Sequence, residues 1–287
     1  MTVRARIART VLDRAGPRLT AVLGSVYLSA RARARCRVRY DDGSWIHRYR
    51  DGVLVDTRLG GPTPGGQDSY ARDVFLHDYE PRPGDTVVDV GAGVGGEVRL
   101  FSRLTGPTGR VVSVEAHPRT YRCLERAVAE NALANVTTVH CAVVDRPGPV
   151  FLEEDREHIT NRLTGRPAAG PPVPGRTLDE LVATLGLERI DLLKMNIEGA
   201  ERAALAGSAH SLRLVRHLTV SCHDFLAAGP GRGWQRTFDD VARLLTAAGF
   251  RLRTRPADNR AWIPYYLYAT RADVAAAQPA GGQRWRR

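Results

Sequence analysis

A chain of 287 residues, 43% hydrophobic and 25% charged, has material for one domain of ordinary size plus an appendage, and its composition excludes a disordered chain. No apolar run approaches the ~18 residues of a membrane-spanning helix; residues 19–30 are short and close on an arginine cluster in place of a cleavage site, so the expected location is cytoplasmic. The net charge is +11, yet Lys194 is the only lysine, so part of that charge reflects a bias toward arginine across the whole sequence.

Residues 1–66 read as a basic helical lead followed by a small β-meander. Arginines crowd the start (Arg4, Arg6, Arg9, Arg14 and Arg18, then Arg31, Arg33, Arg35, Arg37 and Arg39). Such a stretch is expected to be a solvated, partly helical extension, with contact to an anionic membrane face or a polyanion as the alternative. Runs 36–40, 44–48 and 53–56 alternate in polarity and are punctuated by Asp42-Gly43 and Asp51-Gly52, a hairpin pattern. Residues 59–66 read as a glycine- and proline-rich loop, and 68–76 as a helix entering the main domain, residues 67–271.

From residue 85 strands alternate with helices at the spacing of a parallel sheet, which predicts an α/β fold. Strand 86–90 runs through a glycine turn into helix 97–104; strand 111–115 precedes helix 119–134, and strand 136–143 comes after it. Residues 145–174 are irregular, with an edge strand near 150–152 and a loop over 165–175. Next come helix 177–185, strand 190–197, helix 201–212 and strand 217–222. An amphipathic helix over 234–248 ends at Gly249, and 250–254 pairs with 262–268 as a hairpin. Residues 272–287 read as a disordered tail. The four cysteines form no CxxC pair and no disulfide pattern.

The strongest chemical signal is Val88-Asp89-Val90-Gly91-Ala92-Gly93-Val94-Gly95-Gly96. A strand passing through such a turn into a helix brings backbone N–H groups close to a ligand, because no Cβ intervenes. Twenty residues after Gly95 the next strand ends on Glu115, whose carboxylate can accept both ribose hydroxyls of an adenosine. Gly91, Gly93 and Gly96 also satisfy the dinucleotide pattern GxGxxG. Asp89 separates the two cases: it repels a pyrophosphate and favours the cationic amino acid and sulfonium of S-adenosylmethionine.

With Asp191-Leu192-Leu193-Lys194-Met195-Asn196-Ile197-Glu198-Gly199-Ala200-Glu201 added, the chain resembles the FkbM family of methyltransferases. That family shows PGD, VDVGA-x-G, an acidic residue closing the second strand with a proline nearby, and DLLK-x-D-x-EGAE. The counterparts are Pro83-Gly84-Asp85, the glycine turn, Glu115-Ala116-His117-Pro118 and residues 191–201, led in by Arg176-Thr177-Leu178-Asp179. The resemblance spans residues 68–270. It implies a class I methyltransferase (Rossmann-like) fold: a seven-stranded, mostly parallel sheet with helices on both faces and a reversed last hairpin. It also implies an S-adenosylmethionine cofactor and O-methylation of a hydroxyl on a small molecule, sugar or secondary metabolite. Asp89, Gly91, Ala92 and Gly93 would face the methionine portion and Glu115 the ribose, with Cys141-Ala142 beside the adenine and Asn196 completing the cofactor site. Where the family has aspartate, this chain has Asn196, a poorer ligand for a hard cation, so a divalent metal is the disfavoured alternative. His223 and Asp224 with Glu198 are the residues that would complete such a site.

A hydroxyl acceptor must lose its proton. Candidates stand at the C-terminal ends of strands: Lys194, Asn196, Glu198, His223 and Asp224. His223 is the first choice as base, with a strand-capping histidine as the alternative. Asp224 is read as orienting it, or as an N-cap for the segment after it. Lys194 reads as pairing with Glu198 or Glu201, or as a base. His158, Thr160, Asn161 and Arg162 lie in a solvated loop or meet the substrate. Two other functions compete. A nucleic-acid methyltransferase suits the basic charge, but Asn196-Ile197-Glu198-Gly199 lacks the prolines and aromatic of an (N/D)PP(Y/F) turn. A non-catalytic S-adenosylmethionine-binding protein is the other.

Overall fold

The computed structural model describes residues 16–153, 162–164, 171–229 and 231–277. Helix α1 (Pro17–Ala32) leads into a three-stranded antiparallel meander, β1 (Arg37–Asp41), β2 (Ser44–Tyr49) and β3 (Gly52–Asp56). The two Asp-Gly turns sit where they were expected, with Asp42 at φ 44° and Gly43 at φ 76°. Helix α2 (Pro64–Val74) starts at a capping residue, Thr63, whose hydroxyl accepts from the Gly66 amide, with proline at the first helical position.

The main sheet takes β4 (Thr86–Val90), β5 (Arg110–Glu115), β6 (Val136–His140), β11 (Ile190–Met195), β12 (Val215–Ser221), β13 (Phe250–Arg253) and β14 (Tyr266–Arg271). Their order is β13-β14-β12-β11-β4-β5-β6, with β14 antiparallel to both neighbours and the other adjacent pairs parallel. This is the seven-stranded, mostly parallel class I arrangement that the sequence led us to expect. The order reverses between β4 and β11, which opens a crevice at their C-terminal ends.

Alternation along the strands assigns each helix to a face. Val88, Val90, Leu193 and Met195 pack with α5 (Leu178–Leu185), α6 (Glu201–Ala206) and α8 (Phe238–Ala247). Val87, Val111, Leu192 and Tyr268 pack on the other side with α2, α3 (Val98–Thr105) and α4 (Pro118–Glu130). All six residues of β11 are buried, as befits a central strand covered twice. Helix α5 begins in a full capping box, Thr177 with Glu180. The short α7 (Ser211–Leu214) precedes β12.

Three expectations are corrected. Strand 136–143 is broken at Cys141: β6 belongs to the main sheet and β7 (Ala142–Val143) leaves it. The irregular region holds a second sheet, β7-β10-β8-β9, from β8 (Gly148–Glu153), β9 (Arg162–Thr164) and β10 (Val173–Arg176), so the end of the expected loop is a strand. Past Arg271 the chain continues as helix α9 (Ala272–Ala277). Residues His158, Thr160 and Asn161 lie outside the described residues.

The meander is fixed to the main domain through α4. Ile46, Val53 and Val55 pack on Cys123 and Ala127, and the Asn131 side chain bonds both to the N–H and to the carbonyl of Val53. This docking brings Asp56, at the end of β3, and Arg58, just past it, to the crevice. Among the described residues no helix is long and apolar enough to cross a membrane.

Candidate functional site

A cavity of about 320 Å3 occupies the crevice, lined by the glycine turn, Glu97, Glu115, Cys141, Ala142, Lys194, Asn196 and Glu198, with Gln67, Phe75, Asp56 and Arg58 closing it. A larger hollow of about 650 Å3 lies between β10 and α5, but it is open and mostly proline and backbone. Converging polar groups mark the smaller cavity as the candidate site.

The turn is built by tight packing. Gly91 has φ 77°, and a Cβ there would stand 2.0 Å from the Asn196 carbonyl oxygen. Gly93 has φ 57° and nothing within 4 Å of the position a Cβ would take. Four amides of the turn are already committed: Gly91 and Ala92 donate to the Val114 carbonyl, Gly93 donates to Glu115 Oε2 at 2.8 Å, and Gly95 donates to the Ala92 carbonyl. The Glu115 Oε1 accepts from the His117 amide and from the Thr120 hydroxyl, both at 2.8 Å. Of the roughly four acceptor positions of a carboxylate, about one therefore stays open, on Oε2.

Asp89 does not face the cavity. It is fully buried on β4 and lies in register with Lys194 of β11, whose ammonium is 2.8 Å from Asp89 Oδ1 and donates to the Gly91 carbonyl at 2.8 Å. The expectations for both residues are thereby corrected. Lys194 pairs with Asp89, not with Glu198 or Glu201. Burial alone would depress its pKa, but the Asp89 and Glu97 carboxylates outweigh burial and raise it, so Lys194 stays charged and is no base.

Glu97 went unrecognised in the sequence because it reads there as the first residue of a helix. Its carboxyl is buried at the cavity, accepts from the Gln67 amide at 2.7 Å, and is pushed up by burial although Lys194 pulls it down. Asn196 lines the cavity where expected, and its buried Oδ1 has no hydrogen-bond partner among the described residues. Ala142 and Cys141 form an apolar wall.

At the far end Glu198 lines the cavity in a left-handed conformation, φ 56°. For a residue with a Cβ this is uncommon and costs about 1 kcal/mol. Gly199, at φ 103°, comes next, with Trp234 packed where a Cβ would be. Behind Glu198 stands His223, itself not lining the cavity: Nε2 lies 3.2 Å from Glu198 Oε1, and Nδ1 lies 3.0 Å from Glu201 Oε1. Glu201 Oε2 in turn accepts from the Thr237 hydroxyl. Burial alone would depress the imidazole, but the two carboxylates push it up to about 10. His223 is therefore an imidazolium at neutral pH, which corrects its reading as a free base. Asp224 is corrected too: its Oδ2 accepts from the Thr237 and Phe238 amides and caps α8. Among the described residues no three His, Cys, Asp or Glu side chains are grouped to hold a metal ion.

The chain is similar in sequence to known proteins. Residues 89–252, more than half of the chain, match the Methyltransferase FkbM domain. The chain is 25% identical over 162 residues to 2-O-methyltransferase NoeI of Sinorhizobium fredii, covering 50% of this chain and 65% of NoeI. It is 26% identical over 212 residues to 31-O-demethyl-FK506 methyltransferase FkbM of Streptomyces tacrolimicus, covering 62% of this chain and 77% of that protein. It is also similar to the crystal structure of methyltransferase FkbM from Methylobacillus flagellatus KT, with TM-score 0.44 and 17% identity over 70% of this chain and 50% of that one.

Proposed function

The chain belongs to the FkbM family of S-adenosylmethionine-dependent methyltransferases, and on that premise we propose that it methylates a hydroxyl of a small-molecule, sugar or secondary-metabolite acceptor. The observation that carries this reading is one cavity with acidic groups at both ends: Glu97 and Glu115 on the turn side, and the Glu198–His223 pair opposite. The names of NoeI and of the Streptomyces FkbM both specify transfer to oxygen, which supports a hydroxyl acceptor.

The residues fit the cofactor. The orphan Asn196 Oδ1 asks for a donor, Gly93 leaves open space, and the Glu97 carboxyl with Gln67 offers a polar pocket with acceptors for an ammonium. Glu115 would hold the ribose through its remaining acceptor position, and Cys141 and Ala142 would flank the adenine. When bound, S-adenosylmethionine supplies an electrophilic methyl group on a sulfonium.

The chain's own groups align the acceptor and take its proton. Glu198 is the carboxylate facing the cavity, and the His223 imidazolium, backed by Glu201, holds it by a charge-assisted hydrogen bond. Glu198 is the group placed to take the acceptor hydroxyl's proton, and the departing sulfur of the bound cofactor would leave as a neutral thioether. His223 is then a positioning residue, and the role of base moves one side chain closer to the cavity.

The test is transfer of label from methyl-labelled S-adenosylmethionine to mixed sugar, polyketide and RNA acceptors, beside calorimetry of cofactor binding. Label in an O-methyl group of a small acceptor is expected. Cofactor binding with label only in RNA or on nitrogen would overturn the hydroxyl reading.

A further inference from the structure

Helix α1 turns small residues and Leu28 inward and its other large apolar residues outward. Thr20, Ala21, Gly24 and Leu28 are buried, and the side chains of Ser25 and Ser29 accept from the Val38 and Cys36 amides of the meander. A Cβ at Gly24 would stand 2.9 Å from the end of the Leu59 side chain, so this face is closely packed. The opposite face shows Leu19, Val22, Leu23, Val26 and Tyr27, exposed between 43% and 67%. These are five of the seven exposed large apolar side chains among the described residues. Single exposed apolar residues need no explanation, but a contiguous set on one helix face does.

At 3.6 residues per turn the five span an arc of roughly 140°, with Arg18 on one flank and Arg31 on the other. Both arginines are exposed, as are Arg33, Arg35 and Arg37, and no acidic residue occurs from Gly16 to Tyr40. An apolar stripe with cationic flanks fits a bilayer with anionic headgroups: aliphatic side chains enter the acyl boundary, arginines reach the phosphates, and Tyr27 sits at the interface. A second copy of the chain would set like-charged flanks against each other, with no carboxylate in this stretch to relieve them.

We propose that α1 is an in-plane membrane anchor that holds the protein on an anionic lipid surface. The meander beneath it reaches the cavity through Asp56 and Arg58, so the anchored side is linked directly to the mouth of the site. Such anchoring does not depend on which acceptor the site takes.

The experiment is flotation of the full chain with phosphatidylcholine vesicles, with and without phosphatidylglycerol, across a salt series. The wild type is expected to float with the anionic vesicles and to be released by salt. Val22→Glu with Val26→Glu should lower partitioning about tenfold or more, with unfolding temperature and cofactor affinity unchanged. No flotation of the wild type, or equal flotation of the double variant, overturns the proposal. So does a sedimentation result in which the wild type is a dimer, the variant a monomer, and neither floats. Flotation that appears only after removal of residues 1–15 also overturns it, because that segment would then be what covers the face.

Discussion

Replacing Lys194 by Met is the sharpest test of how the site is built. The ammonium and the Asp89 carboxylate are 1% and 0% exposed and 2.8 Å apart, and beyond that contact neither Asp89 oxygen has a hydrogen-bond partner among the described residues. Methionine nearly conserves the volume, so the cost is electrostatic and not a cavity. Breaking a buried pair by removing one partner costs about 3–5 kcal/mol, a large share of a typical stability of about 5–15 kcal/mol. Replacing both partners should restore much of it, because the penalty lies in the uncompensated charge. Urea unfolding of wild type, K194M, D89N and the double variant gives the coupling directly; we expect at least about 2 kcal/mol. The pH dependence has a definite sign. The raised pKa of Lys194 means its contribution is fully present below the unfolded-state value of about 10.4 and is lost as pH rises through the higher folded value. The gap between wild type and K194M should therefore persist across neutral pH and close only in strong alkali. A K194M cost within about 1 kcal/mol, or additive single variants, would refute the pairing as the reason this lysine exists.

Two glycines of one turn should separate structure from ligand approach. Gly91→Ala drives a Cβ into the Asn196 carbonyl at 2.0 Å and should destabilise by about 3 kcal/mol or more, read as a fall in unfolding temperature. Gly93→Ala meets nothing within 4 Å and should cost only about 1 kcal/mol while weakening cofactor binding in calorimetry. Glu198→Gln should lower kcat by about a hundredfold or more with cofactor affinity intact; unchanged turnover removes it as the base. His223, raised to about 10, contributes stability that is complete below about pH 6.5 and fades as pH rises through about 10. Chemical denaturation between those values should show a decline in the wild type that His223→Gln flattens; parallel slopes would contradict the imidazolium.

The order of elements was legible because the signals for it are local. Valine-rich strands, Asp-Gly turns and Gly249 behind α8 each speak within a few residues. What escaped was set by contacts far apart in sequence. The break at Cys141 arises from β7 pairing with β10, more than thirty residues on, and no residue within 136–143 announces it. The partner of Lys194 is over a hundred residues away, across a register that sequence spacing does not display. Asp224 could orient a histidine or cap a helix on sequence grounds; only the position of the Thr237 amide decides. Glu97 was hidden because a helix N-terminus is an ordinary place for a glutamate.

The same contacts relocate the discrimination between cofactors. Asp89 was expected to repel a pyrophosphate, but a carboxylate neutralised by Lys194 projects little net charge into the cavity. The turn itself discriminates in another way. A dinucleotide pyrophosphate needs free amides at the start of the helix, and here the Gly91, Ala92 and Gly93 amides are spent on Val114 and Glu115. Among the carboxyl groups that line the cavity, Glu97 stands on the turn side, where it accepts from Gln67. A phosphate beside Gly91–Gly93 would thus meet spent donors and the Glu97 and Glu115 carboxyl groups, whereas a cationic amino acid would meet acceptors. In the proposed cofactor mode, selectivity for the sulfonium would rest on these carboxyl groups and on the turn's internal hydrogen bonds, with the Asp89–Lys194 pair as the buried strut that fixes the turn through the Gly91 carbonyl.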